Sequence, residues 1–315
     1  MKKERFVLNL SQQGTVELFK WHNERRAFFK GVILLVHGMA EHIERYDEFA
    51  RFLAQNGYIV YGHNQRGHKG SIATYEDYGY MSADDNFFIL VSDVSEIVNK
   101  LNKEYQKLPI YLFGHSMGSF VVQRYAQLYG KKINGIILSG SAKFPKILLF
   151  SGAFISGLVK KIKGPRHRSK LIYNLMFGSF NRKFRPNRTE ADWLNTKPDE
   201  VDKYVNDKYC GGIFTAAFYS DFLRGLKEMN ANYDLIPKDL PIMIISGERD
   251  ACGGMAKLVR GLYKKYRKLN ISDLKLKLYP EARHEILHDK CKEEVFADCL
   301  EWLEERQADK DGRLT

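Results

Sequence analysis

Between residues 31 and 139 the chain alternates short, continuously apolar runs with longer segments whose apolar residues recur every three or four positions. The run Gly31–Val36 has no polar face, so as a strand it must be covered on both sides. Tyr46, Phe49, Ala50 and Leu53 then share one helical face, and a second strand is expected over Tyr58–Tyr61. Helical spacing returns at Phe87, Leu90, Val91, Val94, Ile97 and Leu101, followed by a strand over Pro109–Phe113, a helix over Ser116–Tyr129 and a strand over Gly135–Ser139. Such alternation commits the chain to an α/β fold, with a mostly parallel central sheet between two helical layers. Ahead of it, Arg5–Leu10 and Thr15–Trp21, joined by Ser11-Gln12-Gln13-Gly14, read as an N-terminal hairpin. The alternation lapses after Ala142 and resumes with a strand at Pro241–Ser246, a helical face at Met255, Leu258, Val259, Leu262 and Tyr266, a strand at Leu274–Tyr279 and a last helix marked by Val295, Phe296, Cys299, Leu300 and Leu303. The expected organisation is a core over 1–142, an inserted helical cap over 143–235 and the rest of the core over 236–315, with the tail from Arg306 frayed.

Within this pattern the pentapeptide Gly114-His115-Ser116-Met117-Gly118 follows a buried strand directly and opens an amphipathic helix. A serine in so tight a strand-to-helix turn is held in a strained conformation, and the elbow glycines Gly114 and Gly118 avoid the resulting clashes. The helix N-terminus also favours negative charge developing beside Ser116. A serine nucleophile needs a base and a carboxylate that fixes the base's tautomer. In this arrangement they come from loops after later strands, acid first. His284 precedes the last helix where the base belongs, with His288 as the alternative. Asp250 follows the strand Pro241–Ser246 where the acid belongs, with Glu248 as the alternative. The oxyanion donors expected are the backbone N–H groups of Met117 and of Met39, the latter in the loop after Val36, where Gly38 permits close approach. His37, Glu41 and His42 have the spacing of a hydrogen-bonded loop rather than of a metal site, and no metal or cofactor is expected. Cys210, Cys252, Cys291 and Cys299 read as thiols without metal-ligand spacing.

The net charge of +12 is unevenly distributed. From Tyr105 to Thr189 there are sixteen Lys and Arg and no Asp or Glu, leaving 34 basic against 38 acidic residues elsewhere. The densest part, Lys160–Arg188, falls in the cap. It carries no nucleic-acid recognition motif, so nucleic acid is not an expected partner, whereas transient contact with an anionic membrane surface is compatible with it. The cap is also apolar, with Leu148, Leu149, Phe150, Phe154, Ile155 and Leu158 in its first segment, which suits an acyl chain. Ile147–Val159 is too short to span a bilayer and Phe6–Leu10 too short for a secretory apolar region, so a cytoplasmic location is expected.

His37-Gly38-x-x-Glu41-His42-x-x-Arg45-Tyr46, Gln65-Arg66-Gly67-His68, the Ser116 pentapeptide, Ser246-Gly247-Glu248-Arg249-Asp250 and Ala282-Arg283-His284-Glu285 together resemble the monoacylglycerol lipase and lysophospholipase group of α/β-hydrolases, also grouped with serine aminopeptidase-like hydrolases. The resemblance spans nearly the whole chain. It implies an α/β-hydrolase fold, a triad of Ser116, Asp250 and His284, an oxyanion hole at Met39 and Met117, and a small lipid ester as substrate. Aminopeptidase-like or small-ester hydrolysis by the same residues, or a non-catalytic binding module, are the alternatives, and oligomeric state is left open. In two places the chain departs from the group. His63-Asn64-Gln65 stands where an aspartate usually precedes Arg-Gly-His, leaving no carboxylate there, and Met39 is bulkier than the usual residue, which narrows the expected acyl pocket.

Overall fold

The computed structural model describes residues 1–11 and 14–311; Gln12 and Gln13 of the expected hairpin turn and Gly312 of the expected tail lie outside them. Eight strands form one sheet in the order β1 (Lys2–Leu10), β2 (Gly14–His22), β4 (Tyr58–Asn64), β3 (Gly31–Val36), β5 (Ile110–His115), β6 (Gly135–Ser139), β7 (Ile242–Gly247) and β8 (Leu274–Tyr279). Only the two pairings made by β2, with β1 and β4, are antiparallel, and every later pairing is parallel.

The continuous apolar runs are two-faced at the level of single residues. Val32, Leu34 and Val36 enter one core layer while Ile33 and Leu35 enter the other. The same alternation divides Ile110 and Leu112 from Tyr111 and Phe113, and Ile242 and Ile244 from Met243 and Ile245. Helices α1 (Asp47–Gln55) and α9 (Lys292–Asp311) cover one face through Phe49, Leu53, Phe296 and Trp302. On the other face lie α2 (Asn86–Glu104), α3 (Met117–Tyr129) and α8 (Lys257–Lys268), through Leu90, Val94, Val121, Tyr125 and Leu262.

Between β6 and β7 the chain leaves the sheet and builds α4 (Lys146–Lys163), α5 (Lys170–Phe177), α6 (Pro198–Asn206) and α7 (Ala216–Ala231). Helix α4 packs on α7, with Gly152 against Leu223, and Leu149 and Ser156 are its only fully buried side chains. Asp221 of α7 is buried and accepts hydrogen bonds from Asn86 N–H and Nδ2 at 3.1 and 2.7 Å, which fastens this layer to α2.

Two local expectations need correction. Helix α8 begins at Lys257, and Met255 precedes it in the left-handed region at φ 53°, because Asp250 O accepts Met255 N–H at 2.8 Å and closes a turn there. The chain does not fray at Arg306: α9 continues to Asp311, and the Arg306 guanidinium lies 3.9 Å from the Trp302 ring and pairs with Asp273.

Candidate active site

Ser116 sits between β5 and α3 with φ 51° and ψ −120°, a conformation a non-glycine residue adopts only under constraint. The constraint is close packing. A Cβ on Gly118 would lie 2.1 Å from Val36 O, and one on Gly114 2.7 Å from Ser119 Cα, so the elbow is pressed against β3 and its own helix without room for side chains. Ser119 Oγ donates to Ser116 O at 2.6 Å and so fixes the carbonyl side of the turn.

Asp250 leaves the end of β7 and is fully buried. Its Oδ1 accepts Cys252 N–H at 2.8 Å, and its Oδ2 accepts Ser246 Oγ–H at 3.2 Å and His284 Nδ1–H at 3.0 Å. The two loops meet because Gly247 carries no Cβ; one there would lie 2.2 Å from both Ala282 O and Arg283 O. Donation from Nδ1 leaves the lone pair on Nε2, the tautomer a proton acceptor requires. Burial alone would depress the His284 imidazolium, but the Asp250 charge and hydrogen bond outweigh it and hold His284 above its ordinary value. Burial likewise pushes Asp250 up, and His284 more than reverses this. The alternatives point elsewhere. His288 lies half-buried in a turn against Tyr46, ring centroids 6.3 Å apart, and Glu248 reaches Arg260 at 3.3 Å on the surface.

Ser116 and His284 line one cavity of about 490 Å³ with Met39, Phe177, Trp193 and Tyr204. No hydrogen bond joins Ser116 Oγ to His284 among the described residues, a loose geometry usual for such pairs without substrate. Across the cavity, Gly38 N–H donates to Glu41 Oε1 at 2.6 Å, and Ala40 N–H donates to His68 Nε2 at 3.3 Å. Between these two held groups the Met39 N–H has no protein acceptor, and neither has the Met117 N–H, among the described residues.

The loop that carries Met39 is held more extensively than its sequence indicated. Ala40 is left-handed at φ 56°. Its carbonyl accepts Gly211 N–H at 2.8 Å and Tyr204 Oη–H at 3.1 Å, both from the layer above the sheet. His68 donates Nδ1–H to Arg66 O at 3.0 Å, which leaves Nε2 to accept from Ala40; burial pushes His68 down to about 4, so it keeps this form. Beneath the loop, Arg45 Nη1 donates to Glu41 at 2.8 Å, and the guanidinium binds Glu285 bidentately at 2.6 and 2.8 Å, beside His284. Tyr46 Oη–H donates to Glu41 at 2.9 Å. This network joins residues 240 positions apart; the only sequence signal was that Arg45, Glu41 and Glu285 fall inside the recognised motifs.

The missing strand-four carboxylate is supplied from elsewhere. Asn64 Oδ1 accepts Ile43 N–H at 2.8 Å, and its Nδ2 donates at 2.6 Å to buried Glu17 on β2. His37, Glu41 and His42 do not converge on a metal: Glu41 serves Gly38, Tyr46 and Arg45, while His37 accepts Gln65 N–H at 3.0 Å. His42, Asp207 and Cys210 do bring ligand atoms within 4.8 Å of one another, but His42 Nε2 and Asp207 Oδ2 already form a 2.9 Å pair and burial pushes the Cys210 thiol up, keeping it protonated.

The family model described as serine aminopeptidase, S33, matches residues 29–291. Human monoglyceride lipase is 27% identical over 284 residues, covering 89% of this chain and 84% of the relative. A Haemophilus influenzae protein named probable lysophospholipase L2 is 29% identical over 274 residues, covering 82% of this chain and 78% of its own. Among solved structures, a thermostable carboxyl esterase from Bacillus coagulans superposes with a TM-score of 0.88 at 21% identity, covering 98% of this chain and 99% of that one, a likeness of fold.

Proposed function

The chain belongs to the serine aminopeptidase S33 family of hydrolases, and from that premise we propose that it cleaves carboxylic esters of monoacyl lipids through an acyl-enzyme on Ser116. The observation that carries this reading is the shared cavity: a strained serine, an imidazole whose Nδ1 is bound by buried Asp250, and Met39, whose N–H has no acceptor among the described residues, line one mostly apolar space.

In the proposed reaction His284 Nε2 takes the Ser116 proton as Oγ attacks the ester carbon. Asp250 holds the tautomer and stabilises the imidazolium. The Met39 and Met117 N–H groups receive the oxyanion of the tetrahedral intermediate. His284 then protonates the leaving alcohol, and water, activated by the same imidazole, releases the acid. We assign residues 143–235 to a cap whose Leu194 and Val205 offer the acyl chain apolar walls. Relatives named for monoglyceride and lysophospholipid hydrolysis support this substrate class. Activity across p-nitrophenyl esters of graded length, monoacylglycerol, lysophosphatidylcholine and amino-acid anilides tests it. Preference for long-chain esters is expected, and preference for anilides would replace it with an aminopeptidase.

Because the neutral imidazole is the reactive form and its pKa is raised, kcat/KM for a neutral ester should rise with pH through a midpoint above 6.5. The Asp250→Asn variant should lose most activity and move that midpoint downward, since the charge that raises it is gone. An acidic limb below 6.5 in the unaltered protein would contradict the assignment of His284 as base.

Helix α4 also bears an outward stripe of Ile147, Phe150, Phe154, Leu158 and Ile162, each exposed, beside exposed Lys146, Lys161 and Lys163. No helix among the described residues is long and apolar enough to cross a membrane. An apolar stripe edged with lysines suits shallow insertion into an anionic bilayer surface. Phe154→Asp should abolish co-sedimentation with phosphatidylglycerol vesicles and leave p-nitrophenyl butyrate hydrolysis unchanged. Binding by the unaltered protein that is indifferent to ionic strength would exclude the electrostatic part.

A further inference from the structure

One wall of the cavity is a continuous aromatic surface, with the imidazole at one end and a carboxylate without a cationic partner at the other. The ring of Tyr173 lies 5.3 Å from that of Phe177. Phe177 lies 6.4 Å from Trp193 and inclined to it by only 23°. Trp193 in turn lies 5.1 Å from His284. Glu190 lines the same cavity, and its charge acts on Tyr173, whose hydroxyl is raised first by burial and then by Glu190. Of the three carboxylates that line the space, Glu41 and Glu285 are engaged by Arg45, whereas exposed Glu190 has no Lys or Arg partner among the described residues. Nearby Arg188 is occupied by Asp202 at 2.6 Å.

The proposed chemistry orients a substrate along this wall. His284 must hand its proton to the departing alcohol, so that alcohol lies beside His284 and therefore beside Trp193. Whatever it carries extends past Phe177 and Tyr173 toward Glu190. An apolar group would remove water from Glu190 without compensation, and an anion would be repelled. A cation is the one chemistry that both the ring faces and the carboxylate attract.

We propose that Tyr173, Phe177, Trp193 and Glu190 form a subsite for an ammonium group on the leaving alcohol, so that monoacyl lipids with a choline- or ethanolamine-type headgroup are preferred over uncharged or anionic ones. This rests on the ester-hydrolase reading and narrows its substrate class. Exposed Arg182, Lys183 and Arg185 lead into Glu190 along the chain, which suits a headgroup that carries a phosphate as well as an ammonium.

The test compares lysophosphatidylcholine, lysophosphatidylethanolamine, lysophosphatidylglycerol and monoacylglycerol of one acyl length, in an uncharged detergent, on the unaltered protein, Glu190→Gln and Phe177→Leu. Expected is a kcat/KM for the choline lipid about tenfold above the glycerol lipids. Both variants should remove that advantage, mainly through KM, while monoacylglycerol turnover stays within about twofold. Two outcomes would overturn the subsite: no cationic preference in the unaltered protein, or an equal loss on all four lipids in Glu190→Gln. Selective loss of amino-acid anilide turnover in Glu190→Gln would also overturn it, since the cation would then sit on the acyl side. If no ester at all were hydrolysed, including p-nitrophenyl butyrate, the underlying reading would fail instead, so the two failures are separable.

Discussion

Ser116→Ala should lower kcat on p-nitrophenyl butyrate by four to six orders of magnitude while leaving the protein folded. In the proposed reaction the oxygen removed is the attacking atom. On that reading, what survives is catalysis from the proposed Met39 and Met117 donors and from binding, which alone exceeds reaction in water by about a thousandfold or more. Stability should not fall, because the backbone at φ 51° is held by Gly118 against Val36 and by Ser119, not by the Ser116 hydroxyl. Ser116→Gly provides the control: inactive too, it should be more stable by about 1 kcal/mol as the left-handed strain is relieved. Calorimetry beside the assay checks both. An alanine variant retaining a tenth of the activity would remove Ser116 from the chemistry.

Arg45→Met should be the most destabilising single change near the site, costing about 3–5 kcal/mol in urea denaturation at pH 7. Its guanidinium is nearly buried and holds two carboxylates, Glu41 and Glu285, that are themselves 4% and 5% exposed. Without it both charges remain in the interior uncompensated. Burial pushes Glu285 up and Arg45 overrides this, holding it below the usual carboxylate range. In the intact protein that contribution is therefore present above the ordinary glutamate pKa and lost as pH falls through the depressed one. In the variant the sign reverses, since an unpaired buried carboxyl folds best protonated, so the gap between the two proteins should narrow between pH 7 and pH 5. Adding Glu41→Gln and Glu285→Gln to Arg45→Met should restore part of the loss. A cost below 1 kcal/mol at pH 7 would mean that water reaches these carboxylates.

The layered α/β core was legible because burial on both faces leaves an unmistakable signature: the apolar runs at 31–36, 110–113 and 242–245 have no polar side. The candidates Ser116 and Asp250 were legible for a related reason, standing just past the runs at 110–113 and 242–245 where a strand must turn, whereas the candidate His284 follows β8, an alternating strand. Contacts between distant segments left no comparable trace. Nothing in the spacing of Arg45 and Glu285 indicates that they meet, and Glu17, in an ordinary-looking hairpin strand, gave no sign that it supplies a carboxylate to Asn64. The two local misjudgements at Met255 and Arg306 share one cause. Helical periodicity continues through Met255, but a single hydrogen bond to Asp250 O ends it, and a charged tail reads as solvated until a partner such as Asp273 is placed beside it.

The two donors on Ala40 O, Gly211 N–H and Tyr204 Oη–H, give the molecule a thermodynamic cycle. Raising the layer that contains them would strip the carbonyl of both partners, and Ala40 would no longer be held beside Met39, the proposed oxyanion donor. Occupancy of the proposed oxyanion position and closure of that layer would then share one coupling free energy, and reciprocity requires each to strengthen the other by the same factor. A boronate that mimics the tetrahedral intermediate should therefore slow hydrogen exchange over residues 204–212, far more than a ligand that fills only the acyl space.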